Sequence, residues 1–171
     1  MDVHQNWREV KELFRDSFRS SFHYAIASVS EDGEPHVTPI GSLIPGKPGE
    51  GIYFEKFAQG LSRNIDHNNR ICVLAVNSSR WFWLKSLIGG RFRFPPAVRL
   101  HGTAQKLRPA TEMEMSMWQK RVSAVRHTKG HKLMWSEMDM VREIKFDRID
   151  AVHIGQMTHG LWQKTTEENH A

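Results

Sequence analysis

The chain has 171 residues, a length that suits a single domain (1–171). It carries 24 basic and 19 acidic side chains, and the formal net charge of +5 favours anionic partners. Its only cysteine, Cys72, excludes an internal disulfide and is predicted to be a small buried thiol. No apolar run approaches the roughly 20 residues of a membrane span, and residues 1–10 are too polar for a signal peptide. We therefore expect a cytoplasmic protein without a membrane span.

The first half of the chain predicts one helix followed by a β-meander. Apolar residues recur every three or four positions in residues 2–19, which indicates an amphipathic helix that Asp2 can cap. Pro39 and Gly41 lie inside one β-favouring segment and indicate a bulge or a sheet edge, because proline cannot donate to a strand ladder. Three such segments, separated by turns, are predicted to be strands at 22–30, 36–44 and 52–57.

The second half of the chain alternates between predicted helices and strands. Residues 59–68 predict a short helix, and residues 71–76 predict a strand that is apolar on both faces and therefore central in its sheet. Residues 97–107 and 141–154 alternate in polarity and predict two more strands. Helices are also predicted at 111–125 and, more briefly, within 129–140. The order of elements is typical of a barrel or a sandwich.

Two features of the last third have a specific interpretation. Thr111 and Glu114 have the spacing of a capping box at the start of their helix. Met113, Met115 and Met117 are interpreted as filling a core or an interface, because methionine adapts to irregular gaps. The polar tail from about residue 161 is expected to be flexible.

Residues 80–96, RWFWLKSLIGGRFRFPP, are predicted to leave the barrel as a partly helical insertion. Aromatic side chains interleave with four cations. This composition suits a loop buried in a dimer, a lid over a cofactor, a surface for nucleic acid, or a patch that lies on a membrane. Deletion of the segment would separate a binding role of this kind from the rest of the barrel.

The stretch GLSRNIDHNNRICVLAV, residues 60–76, brings a polar turn to the start of a core strand. Gly60, Ser62 and Arg63 lie at the predicted start of a helix, where free backbone N–H groups and a partial positive charge hold phosphate well. The arginine fork matches phosphate oxygens. The alternative is an ordinary capped turn whose arginine is solvated.

The order of these segments resembles that of the FMN-binding split-barrel superfamily, the pyridoxamine 5′-phosphate oxidase-like proteins. The resemblance rests on AIASVSEDGEPHVTPIGSLI, IYF, AQGLSRNIDHNNRICVLAV, VRLHGTAQKL and the long C-terminal strand, and it covers most of residues 22–107. It implies a mainly β fold with flanking helices, in which about six or seven antiparallel strands form a split barrel. It also implies a homodimer with cofactor sites at the subunit interface.

The resemblance further implies an FMN-dependent oxidoreductase whose substrate and catalytic residues the sequence does not name. Ser62 and Arg63 would contact the flavin phosphate, and Thr38, Phe54 and Glu55 would lie near the ring or the ribityl chain. The full set of implied cofactor-binding residues is Val37, Thr38, Pro39, Phe54, Glu55, Lys56, Phe57, Gln59, Gly60, Leu61, Ser62 and Arg63.

One position departs from the family pattern. Many relatives carry a lysine where this chain has Leu61, so the phosphate cation would have to be Arg63, Lys56 or a basic residue of the insertion. Members of the superfamily also bind deazaflavin or haem, and a non-catalytic protein that holds another ligand through the insertion is a further alternative. We do not expect nucleic acid to be the partner.

The ten histidines suggest metal or haem ligation without singling out a site. His127 and His131 are four residues apart, but no H-E-x-x-H motif occurs and one cysteine cannot build a thiolate site. We therefore predict no metal site. Haem, if bound, has four candidate axial ligands in the sequence, His36, His101, His153 and His159.

Overall fold

A computed structural model describes Val3 and residues 5–162; the predicted cap Asp2 and nearly all of the predicted flexible tail lie outside the described residues. The helices are α1 (Trp7–Ser21), α2 (Gln59–His67), α3 (Arg80–Ile88), α4 (Glu112–Arg121) and α5 (Lys129–Met134). The strands are β1 (Tyr24–Val29), β2 (Pro35–Ile40), β3 (Leu43–Pro45), β4 (Glu50–Phe54), β5 (Arg70–Val76), β6 (Ala97–Ala104), β7 (Arg108–Pro109) and β8 (Met140–Ala151).

The strands form one antiparallel sheet in the order β2-β1-β5-β6-β8-β4-β3, and the short β7 pairs with β8. β2 and β3 lie at opposite ends of this order, yet only Gly41 and Ser42 separate them in the chain. Three residue steps span at most about 11 Å, so the two edges of the sheet must lie close together. The sheet is therefore curled into a half-barrel, which confirms the predicted mainly β split-barrel fold.

The β1–β2 hairpin confirms two predictions from turn chemistry. Gly33 has a φ of +86° in the turn, a conformation that glycine adopts without a steric penalty. Pro39 lies on the edge strand β2, opposite Ala25 of β1, and an edge strand is where proline is tolerated in a sheet. The strand predicted at 36–44 breaks at Gly41 and continues as β3.

The centre of the sheet also follows the sequence pattern. β5 lies between β1 and β6, as its apolar composition predicted. A register shift follows His101 on β6, and a Cβ added at Gly102 would lie 2.3 Å from the carbonyl oxygen of Lys145. Only glycine permits so close an approach of the two backbones. Helix α1 covers the concave side of the sheet with Trp7, Val10 and Phe14.

Helix α4 begins with the predicted capping box, in which the Thr111 hydroxyl and the Glu114 carboxylate accept from each other's backbone N–H groups. Of the three methionines predicted to fill a core or an interface, Met115 packs against a second apolar cluster around Trp118. Met113 and Met117 are exposed, because the helix shows only one narrow side to the barrel. Cys72 is half-buried rather than fully buried.

The insertion is partly helical, as predicted, since α3 spans its first half. Within the described part of the chain, no helix is both long enough and apolar enough to cross a membrane. Among those same residues, no cluster of three or more His, Cys, Asp or Glu side chains is arranged to hold a metal ion.

Candidate functional site

A cleft of about 490 Å³ opens where β4 leads into α2. Polar and charged side chains form one side of it, and Leu107 and Met140 form an apolar side. The side chains that line it are Glu55, Lys56, Ala58, Gln59, Ser62, Arg63, Leu107 and Met140. The cleft therefore combines cations with a small apolar wall, a combination that suits an organic anion.

The start of α2 borders this cleft and carries no side-chain cap. Ala58 is the N-cap residue, and no acidic residue lies in the first turn. A Cβ added at Gly60 would meet no atom within 4 Å, so the backbone is open to approach there. A helix start of this kind offers free N–H groups and a partial positive charge to an anion.

Behind the cleft, the buried guanidinium of Arg142 joins β4, α2 and β8. Its side chain is 2% exposed. It donates from Nε to Glu55 Oε2 (2.8 Å), from Nη1 to Asp66 Oδ1 (2.9 Å) and to the Gln105 carbonyl (3.3 Å), and from Nη2 to Ser62 Oγ (2.9 Å). Buried charges are stable only when they are paired and hydrogen-bonded in this way. Arg142 therefore fixes α2 against the sheet.

One carboxylate oxygen of Glu55 accepts hydrogen bonds from two neighbouring side chains. Besides the bond from Arg142, its Oε2 accepts a hydrogen bond of 2.7 Å from the Tyr53 hydroxyl. Burial, and then the hydrogen bond to the Glu55 carboxylate, raise the pKa of Tyr53 well above its ordinary value, so Tyr53 stays protonated and donates. Because both partners hold Glu55 in place, its carboxylate acts as an anchor rather than as a free base.

The remaining polar side chains of the cleft are available to a ligand. Ser62 Oγ accepts from Arg142, and its own hydroxyl proton has no acceptor among the described residues. Arg63 forms no ion pair within the part of the chain that the structure describes. Lys56 lies 3.5 Å from Glu137, an exposed contact, and 5.6 Å from the centre of the Phe57 ring. The cleft thus offers two cations and a hydroxyl.

The structure brings together five of the residues that the resemblance implied and separates the rest. Leu61 and Phe54 are buried in the two apolar clusters and do not line the cleft. Phe57 is exposed beside Lys56. The five predicted residues that line the cleft are Glu55, Lys56, Gln59, Ser62 and Arg63.

Gly60 lies in the first turn of α2 without lining the cleft, and the last three, Val37, Thr38 and Pro39, lie on the edge strand β2 and do not line the cleft either. Val37 is 69% exposed and faces outward in one cross-strand row with Ala27 and Cys72. Pro39, Ala25 and Leu74 form the next row. The outer surface of β2, β1 and β5 is consequently made of small or apolar side chains along these two rows; we call it the outer sheet face.

Beyond Cys72, the same row becomes polar on β6 and β8. His101 Nε2 lies 3.0 Å from Asp150 Oδ2 and 2.9 Å from Arg148 Nη2. Burial, and then the neighbouring Arg148 charge, lower the pKa of His101, and burial raises the pKa of the Cys72 thiol. Of the predicted haem ligands, His101 is therefore already engaged by charged neighbours.

Sequence reasoning missed Arg142, Asp66 and Tyr53. A signal for Arg142 was present in the sequence, because strand residues two apart face the same side and Arg142 therefore shares the buried face of β8 with Ile144 and Phe146. A charged side chain on an apolar face requires a partner. Nothing comparable marks Asp66, whose position depends on how α2 packs against the sheet.

No curated protein matches the chain. Solved structures with similar folds include HupZ of Group A Streptococcus, at 18% identity over 85% of this chain and 92% of HupZ, with a TM-score of 0.57. The heme storage protein HutZ from Vibrio cholerae shares 11% identity over 88% of this chain and 95% of HutZ, with a TM-score of 0.56.

An FMN-binding protein from Syntrophomonas wolfei subsp. wolfei shares 12% identity over 89% of this chain and 95% of its own, with a TM-score of 0.56. At these identities the likenesses show a common fold. The family model described as pyridoxamine 5′-phosphate oxidase matches residues 10–153, which is most of the chain, and the protein therefore belongs to the pyridoxamine 5′-phosphate oxidase family.

Proposed function

We propose that this protein binds FMN in the cleft beside α2 and acts as an FMN-dependent oxidoreductase. The observation that carries the proposal is the uncapped start of α2, with Arg63 and Lys56 lining the same cleft. Family membership supports the choice of a flavin. The unpaired, half-buried Cys72 fits the predicted reducing cytoplasm.

The donor groups of the cleft fit a phosphate. Relatives commonly carry a lysine at the position of Leu61, which here is buried in the core. Arg63 and Lys56, which both line the cleft, would supply the missing positive charge, and the Ser62 hydroxyl would add a donor. The cleft also contains the Glu55 carboxylate, whose Oε2 is paired with the buried Arg142 guanidinium.

The residues around the cleft would bind and orient the cofactor. Bound FMN would supply the electron or hydride transfer. Arg142 sets the position of Ser62 and Glu55 by direct hydrogen bonds. Leu107 and Met140 give an apolar wall that excludes water from one side of the ligand.

We also propose that the protein is a homodimer that pairs through the outer sheet face. This face exposes Val37 beside small, apolar neighbours on β1 and β5. An exposed apolar surface of this kind is typical of a subunit contact. Val37, Thr38 and Pro39 would then lie at the interface, where the resemblance expects the flavin sites.

An absorption spectrum of the purified protein followed by an FMN titration tests the cofactor. We expect a yellow protein, or quenching of flavin fluorescence on binding. Arg63→Ala should weaken FMN binding by about 1.5–3 kcal/mol, as for a hydrogen bond to a charged group, whereas Arg8→Ala, an exposed arginine on α1, should have no effect. A Soret band without flavin uptake, or equal effects of both variants, would contradict the proposal.

Light scattering after gel filtration tests the dimer separately. We expect Val37→Asp to convert the dimer into a monomer, because the substitution buries an unpaired charge in the contact. Leu133→Asp, at an equally exposed apolar position on α5, is the matched control and should stay dimeric. A wild-type monomer at micromolar concentration would refute this part of the proposal alone.

A further inference from the structure

Helix α3 exposes apolar side chains on a surface where no other part of the described chain covers them. Trp81 is 72% exposed and Ile88 is 80% exposed, and Leu84 and Leu87 lie between them, also exposed. The helix sequence, RWFWLKSLI, is apolar almost all round, which is typical of a helix buried on every side or placed in lipid. We call these four side chains the α3 patch.

The α3 patch is held rigidly from beneath. Phe82 and Trp83 on the other side of the helix pack against Phe92 at ring-centre distances of 5.4 and 5.1 Å. The Trp83 indole donates to the Asn77 carbonyl at 2.7 Å, and the Phe92 amide donates to the Met157 carbonyl at 2.8 Å. Exposure of the patch therefore does not arise from a loosely attached helix.

Cations surround the α3 patch without acidic partners. Residues 77–96 contain Arg80, Lys85, Arg91 and Arg93 and no aspartate or glutamate. None of these four cations forms an ion pair with any described residue. Acidic side chains of α1 share a cavity of about 330 Å³ with three of them, yet no salt bridge crosses it. The α3 patch thus lies in a segment whose only charged side chains are cations, and the α1 carboxylates border that segment on one side.

We propose that the α3 patch binds the surface of an anionic lipid bilayer. Aliphatic side chains at the centre would enter the acyl boundary, Trp81 would lie at the headgroup level, and the surrounding cations would meet anionic headgroups. This combination of exposed apolar side chains and nearby cations is the chemistry of interfacial membrane helices.

Two other occupants fit the α3 patch less well. A nucleic acid surface needs aromatic side chains for base stacking, but Leu84, Leu87 and Ile88 are aliphatic. A second copy of the chain would meet this surface with the same surface, since a two-fold contact is self-complementary. Such a contact would bring together two copies of residues 77–96, each with four cations and no acid of its own.

Cosedimentation of the full-length protein with vesicles tests the proposal directly. We expect binding to vesicles of phosphatidylcholine with 30% phosphatidylserine at low salt, weaker binding at 0.5 M salt because the headgroup charge is screened, and little binding to phosphatidylcholine alone. No sedimentation with the anionic vesicles at low salt overturns the proposal, and so does equal binding to both vesicle types.

Substitutions with matched controls then locate the contact. Ile88→Ser should reduce vesicle binding roughly tenfold through the lost apolar burial, and Leu133→Ser on α5, similarly exposed, should leave it unchanged. Lys85→Gln with Arg91→Gln should reduce it about 25-fold, at about fivefold per cation near an anionic surface. The control for this pair is Lys120→Gln with Lys132→Gln, two exposed lysines on α4 and α5.

Two further outcomes would show that the α3 patch binds a second copy of the chain or a nucleic acid instead of lipid. If Ile88→Ser changes the mass of the protein in light scattering and not its binding to vesicles, the α3 patch is a subunit contact and the proposal is wrong. It is equally wrong if a single-stranded oligonucleotide binds and the vesicles do not. Because the readout is sedimentation with lipid, the result does not depend on whether FMN is bound.

Discussion

Charged side chains are usually exposed and large apolar ones usually buried, and the cleft beside α2 and the surface of α3 break this rule in opposite ways. At the cleft, a guanidinium that is 2% exposed is enclosed with a carboxylate that is 8% exposed. On α3, four large apolar side chains face solvent. The first region buries charge and the second exposes apolar surface.

The two regions differ in whether the partners that stabilise these unusual side chains lie within the chain. Arg142 has all its partners within the chain, namely Glu55, Asp66, Ser62 and a carbonyl. The α3 patch has a supported underside and no cover among the described residues. A buried charge that is satisfied internally positions a site, whereas an apolar surface that is left open indicates an external partner.

The largest effect should come from breaking the buried side of this comparison. Arg142→Met leaves the Glu55 carboxylate buried without its cation, and we expect it to lower the free energy of unfolding by about 3–5 kcal/mol. Urea denaturation followed by tryptophan fluorescence measures the change. FMN uptake by the variant should fall as well, because Ser62 loses the group that positions it.

Arg70→Met is the matched control for Arg142→Met. Arg70 pairs with Asp147 on the surface, where both side chains are about half-exposed, and exposed pairs contribute no more than about 1 kcal/mol. A double variant, Glu55→Leu with Arg142→Met, should recover part of the loss since no charge is left buried. Equal destabilisation by both arginine variants would show that burial is not what makes Arg142 important.

The next effect concerns the underside of α3. Phe92→Ala removes the ring on which Phe82 and Trp83 pack, and we expect it to cost about 3 kcal/mol. Hydrogen exchange should show faster exchange of the α3 amides than in the wild type. Phe94→Ala, at an exposed position two residues away, should leave exchange unchanged; similar exchange in both variants would mean that α3 is held by other contacts.

The sequence predicted the strands well because their signals are local. The alternation over β8 and the turn at Gly33 identified their elements directly, and Pro39 indicated the edge strand β2 without any three-dimensional information. The cleft was predicted only in part. Ser62 and Arg63 follow a pattern along the chain, but Arg142 reaches Ser62 from β8, 80 residues away, and no local pattern expresses that contact.

The side-chain directions in α2 and α4 were equally hard to predict. Leu61 was assigned to the cofactor by its place in a family motif, yet it is buried in the core because α2 turns that side toward β1. Met113 was interpreted as filling a core or an interface, and it lies outside the core of the described chain. In both helices the sequence predicts the element, and the packing of the helix decides which side faces inward.

A smaller effect should appear in the dependence of stability on pH. The Arg108 guanidinium, with the Thr111 groups, lowers the pKa of Glu114 to about 2 from an ordinary 4.5. A carboxyl whose folded pKa is depressed stabilises the fold above its unfolded pKa and loses that contribution as pH falls. Stability should therefore fall between about pH 5 and pH 2.

Glu114→Gln should remove about 1 kcal/mol of this pH-dependent loss, the value for a partly exposed pair. Urea denaturation at pH 7, 4 and 3 measures it, and Glu31→Gln, an exposed turn residue, is the control. A variant whose stability falls as steeply as that of the wild type would show that Glu114 is not the titrating group.

The smallest effect should come from the exposed side of α3, and it separates folding from binding. Ile88→Ser should change the free energy of unfolding by no more than about 0.5 kcal/mol, as for other surface positions, because Ile88 is solvated in the isolated chain. Anionic vesicles should raise the melting temperature of the wild type, since a ligand that binds only the folded state stabilises it, and should raise that of the variant less. A loss of several kcal/mol without vesicles would instead mean that the side chain is covered within the protein itself, and the contrast between the two regions would then disappear.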